Sequence, residues 1–166
     1  MSSRAVDIFE LADGFADCAE MCEIERDGCV RLNSKSRFVA GVTNSALACE
    51  LYLKALLASL GHDEVFKGKE GHELDRLFER LRSMNDGLVQ EIEDKVMRSM
   101  ELGGLTFMEA LESSNKVFVC WRYAYEHWPP KGFPQYLRIL RLVLRSVGRR
   151  IVFADSAVAV EPDTMR

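Results

Sequence analysis

Apolar residues recur along this chain in alternating steps of three and four, the spacing that lines one face of a helix. Over residues 3–22 they fall at Ala5, Ile8, Ala12, Phe15, Ala19 and Cys22, with Asp13, Asp17 and Glu20 off the stripe. Residues 36–60 carry the strongest pattern, Val39, Val42, Ala46, Cys49, Leu53, Leu56 and Leu60. Leu47, Leu51 and Leu57 widen that stripe, so this second helix is expected to pack on more than one neighbour. Gly61 stands just past its end, where a left-handed residue stops a helix.

Shorter patterns follow. Leu74, Leu77, Phe78 and Leu81 place a helix over 72–82, and Leu88, Ile92 and Val96 another over 87–100, with Asn85-Asp86 as its cap. Thr106 is positioned to cap a fifth helix over 107–127, which Pro129-Pro130 must stop. Leu137, Leu140, Leu144, Val147 and Ile151 define a last helix over 135–153. No segment alternates with the period of a strand. The expectation is an all-α, antiparallel bundle of five to six helices over residues 1–154, with 155–166 a loose tail lacking periodicity.

Composition narrows the class. Hydrophobic residues make up 48% and charged residues 29% of the 166, ordinary for a soluble domain able to bury a core unaided. No run approaches the roughly 20 apolar residues of a membrane helix. The start of the chain lacks a secretory pattern, so a cytoplasmic protein without membrane contact is expected. Five cysteines then read as reduced thiols. Cys18, Cys22 and Cys29 do not have the spacing of a zinc site, so neither metal nor cofactor is expected.

The net charge of -4 argues against coating nucleic acid by bulk electrostatics, yet the basic residues are unevenly placed. Between 131 and 150 stand Lys131, Arg138, Arg141, Arg145, Arg149 and Arg150, with no acid. Four of these arginines, at 138, 141, 145 and 149, project within an arc of about 80°. Such a row can track an RNA backbone. It can equally meet an acidic surface, that of a partner or of the acid-rich helix over 87–100.

Near the end of the fifth helix, Arg122 lies at the rim of the apolar face formed by Phe118, Trp121 and Tyr125. His127 follows with four residues between. An imidazole moves protons near neutral pH, and a guanidinium holds a phosphate and the charge that grows on it. The bland alternatives are an Arg122–Glu126 pair and a histidine that caps a helix end. On the second helix, Glu50 and Lys54 are spaced for a surface pair. His72 reads as a helix-start residue bracing its loop.

Three segments together resemble the HEPN domain family: residues 44–57 followed by Gly61, the run Gly71-His72-Glu73-Leu74-Asp75-Arg76-Leu77-Phe78, and Phe118 to Glu126 with its Trp-Arg-Tyr-x-Tyr-Glu pattern. They span most of the chain between Val39 and His127. The resemblance implies a homodimeric helical bundle. It also implies metal-independent RNA cleavage leaving a 2′,3′-cyclic phosphate, in toxin–antitoxin or antiviral systems. Arg122 and His127 match the family's catalytic motif, with Asn44, Glu50, Tyr123 and Glu126 as supporting residues. Tyr123 departs from the small polar residue that often follows the motif arginine. Members without the motif act as binding modules, so the alternative is an inert helical dimer holding a partner protein, an antitoxin or a nucleotide.

Overall fold

A computed structural model of the chain describes residues 3–23, 34–62, 69–100, 103–115, 117 and 134–154. Within them run α1 (Ser3–Glu23), α2 (Ser34–Ser59), a short 3₁₀ turn (Lys69–His72), α3 (Leu74–Met84), α4 (Asp86–Ser99), α5 (Phe107–Ser114) and α6 (Pro134–Val152). The described residues contain no strand, as the periodicity predicts, and none of their helices is long and apolar enough to cross a membrane. The second half of the expected fifth helix, the Asp27-Gly28 turn, Cys29 and the tail lie outside the described residues.

The local signals act where the sequence places them. Gly61 has a φ of 87° and ends α2. The Asn85 side chain accepts from the Leu88 amide at the start of α4. Thr106 and Glu109 form a reciprocal capping box at α5, satisfying two backbone amides that the helix leaves without partners.

α2 is the axis of the bundle. Ala48, Cys49, Tyr52, Leu53, Ala55, Leu56 and Leu57 are all fully buried, so the helix is covered almost all round over its second half. α1 and α2 run antiparallel, since Tyr52 bonds Asp13 whereas Gly41 lies against Ala19 and Cys22. Small residues set their approach: a Cβ at Gly41 would stand 3.2 Å from that of Cys22. The other side of the core is a relay of rings, Phe78 on Phe107 at 5.1 Å and Phe107 on Tyr136 at 5.9 Å.

The buried face of α1 differs from the expected one. Ala5, Phe9, Ala12, Ala16 and Ala19 are buried, whereas Ile8, Phe15 and Cys22 are only partly so. The alanines let α1 lie close on α2, and the bulkier residues of the expected stripe are turned to its margin. α6 crosses the open side of this pair and approaches Phe9 where its own Gly148 has no side chain.

Candidate functional site

The described residues include Asn44, Glu50, Arg138, Arg141, Arg145 and Arg149 of the expected site. Arg122, Tyr123, Glu126, His127 and Lys131 lie outside them. Asn44 and Glu50 therefore have no described relation to Arg122. Asn44 is half-buried on α2, and Glu50 is buried on the same helix.

Glu50 is nevertheless the centre of a polar cluster. Its Oε1 accepts from Lys54 Nζ at 2.6 Å, the expected one-turn pair, although neither side chain is at the surface. The same oxygen lies 3.0 Å from His72 Nδ1. A carboxylate only accepts, so this contact assigns the His72 proton to Nδ1 and leaves Nε2 as the acceptor when the ring is neutral. The imidazole side chain is 65% exposed and the carboxylate 5%. An exposed imidazole oriented by a buried carboxylate is a competent acid–base group. Sequence reasoning gave His72 only a loop-bracing part. The Gly71-His72 segment was its sole signal, because 22 residues separate it from Glu50.

The arginine row corrects the expectation of a free basic face. Arg138 Nε lies 3.0 Å from Glu23, and Arg141 reaches the same Glu23 oxygen at 3.2 Å while donating to Ser45 Oγ at 3.1 Å. Arg145 bridges Asp13 at 3.0 Å and Asp17 at 2.9 Å, and Arg149 binds Asp13 at 2.6 Å. Arg141 is 2% exposed and beyond the reach of a phosphate backbone. The cause is packing: seating the apolar stripe of α6 on the core turns the adjoining arginines over the acidic flank of α1. Asp13 and Asp17 of that flank fall off the α1 stripe, and Glu23 lies just past the expected end of that helix. α4 supplies a partner only to Arg150, whose guanidinium meets Glu91 at 2.5 Å.

Burial raises the thiol pKa of Cys22, with the neighbouring Cys18 adding to the effect. Neither this thiol nor that of Cys49, also raised by burial, has the character of an activated nucleophile. Comparison with protein-family models, with curated proteins and with solved structures finds no match to this chain.

Proposed function

We propose that this chain is a HEPN-like module of a defence or toxin–antitoxin system, directed at RNA in the cytoplasm and working as a homodimer. In this reading Arg122 clamps the scissile phosphate. His127 takes the proton of the 2′-hydroxyl or returns one to the leaving 5′-oxygen. The observation that supports it is the meeting of Glu50 and His72 at 3.0 Å. Two of the segments on which the family resemblance rests, far apart in sequence, converge there on one buried carboxylate. Arg141 is buried and takes no part in guiding the strand; Lys131 and the exposed Arg138 and Arg149 keep that role.

The test is incubation of cellular RNA with the purified protein in EDTA, beside Arg122→Ala and His127→Ala variants. Cleavage by the wild type that leaves 2′,3′-cyclic phosphate ends, lost in both variants, is the expected result. A folded wild-type protein that leaves the RNA intact overturns the nuclease reading.

One observation favours the alternative, an inert helical dimer that holds a partner protein or a nucleotide. Arg138, Arg141, Arg145 and Arg149 each pair with an acid of α1. Ion pairing of this row predicts weak RNA binding even at low salt, and a filter-binding titration against salt separates the two readings.

A further inference from the structure

Where α1 ends and α2 and α6 begin, the bundle holds a cavity of about 540 Å³. Its size falls within the range of roughly 300–1,000 Å³ typical of small-molecule sites. One wall is apolar: Cys22, Val42 and Phe38, which is 48% exposed in the first turns of α2. The other wall carries Ser45, Glu23 and Arg138, and Arg37 stands at the same opening.

Among the described residues, the two α6 arginines at this place outnumber the acid they meet. Arg138 and Arg141 converge on a single oxygen of Glu23, at 3.0 and 3.2 Å. Arg141 has its other contact with neutral Ser45, one of the lining residues. Among the described residues, two guanidiniums thus share one carboxylate, and one of them is almost wholly removed from water. An excess positive charge held at low dielectric attracts a compensating anion more strongly than a solvated one does.

We infer that this cavity binds a small amphipathic organic anion, with its carboxylate or phosphate head toward Arg138 and the Ser45–Arg141 floor. Its apolar body lies on Phe38 and Val42. The ion pairs that the row makes further along α6, at Arg145 and Arg149, are balanced by Asp13 and Asp17 and form no such site. The cavity is thus a place on the arginine row where the fold leaves room for a ligand's charge. This inference does not depend on RNA cleavage.

The experiment is a fluorescence titration of the full chain with 1-anilinonaphthalene-8-sulfonate. The bound probe is then displaced by 2-naphthoate, 2-naphthyl phosphate and the uncharged 2-naphthalenemethanol. Saturable one-to-one binding is expected, with both anions displacing the probe and the neutral alcohol failing to do so. The stronger of the two anions identifies the headgroup. Arg138→Gln should weaken binding by about tenfold, the value of one charge-assisted contact near 1.4 kcal/mol. Glu23→Gln should strengthen it, because it removes the carboxylate that competes with the ligand. A purely structural role for these residues does not give opposite signs. Thermal melts establish that each variant is folded, and Phe38→Ala, at an exposed position, weakens binding without touching the ion pairs. Absence of saturable binding overturns the inference. So does equal displacement by the alcohol, or an unchanged affinity in Arg138→Gln and Phe38→Ala.

Discussion

Tyr52 donates its phenolic hydrogen to Oδ1 of Asp13 over 2.5 Å, and that same oxygen receives Arg145 Nε at 3.0 Å. The second oxygen of Asp13 takes Arg149 at 2.6 Å. One carboxylate thereby ties α1 to both α2 and α6. Tyr52→Phe keeps the ring and removes one donor, so it should cost about 1–2 kcal/mol in urea unfolding. Asp13→Ala should cost more, about 3 kcal/mol, because it leaves the buried Tyr52 hydroxyl and Arg149 without their acceptor and reduces Arg145 to its contacts with Asp17 and Glu20. Equal losses for the two variants would show that the carboxylate does not join the helices.

Stability should fall on the alkaline side. Burial pushes the Cys49 thiol up to about 12 from its ordinary 9.0. Burial also raises Tyr52 and Tyr136, with the Asp13 bond adding to the rise at Tyr52. A folded-state pKa above the unfolded value means that the native chain holds the proton more tightly. The stabilisation is complete below the unfolded pKa and is lost as pH rises toward the folded one. For the thiol the window is pH 9 to 12, at about 1.4 kcal/mol per pH unit. Urea midpoints measured across that window should decline, and Cys49→Ala should flatten the decline. A wild-type midpoint constant from pH 9 to 11 would contradict the burial of this thiol.

Arg141 offers a test of how a buried guanidinium contributes. Arg141→Ala leaves a void and strips Ser45 of its donor, with an expected loss of about 3 kcal/mol. Arg141→Met restores most of the volume and lets Glu23 serve Arg138 alone, so it should recover at least half of that loss. If both variants are equally destabilised, charge rather than volume governs the site.

Gly148→Ala should destabilise by about 1–3 kcal/mol, as overpacking does. An added Cβ would stand 2.8 Å from the ring of Phe9. Phe9→Leu in the same chain should relieve part of the penalty, and a double-mutant cycle in thermal melts measures the coupling. Additive losses would mean that the two residues do not touch.

The helices were legible because their apolar periodicity and their punctuation agree. The expected helix over 36–60 is α2 to within two residues, and Asn85 and Thr106 cap where they were placed. The face of α1 was less so. Periodicity weighs Ile8 and Phe15 by their bulk, whereas close packing on α2 selects Ala12, Ala16 and Ala19 for their smallness. Both halves of the ion-pair array were visible too, the arginines of α6 as a row and the acids of α1 as residues off its stripe. Their pairing was not, because nothing local in sequence says which helices lie side by side. For the same reason the Glu50–His72 contact could not be read from spacing.

The pairing of Asp13 with Arg149 spans 136 residues. A chain made from its amino end therefore presents the acids of α1 to water until α6 has been made. Their cations emerge together with the leucines of α6 that close the core. α6 is thus the keystone of the arch. A product that stops before α6 would be more acidic, hollow along α2 and open to proteolysis, so resistance to cleavage is acquired only when that helix docks.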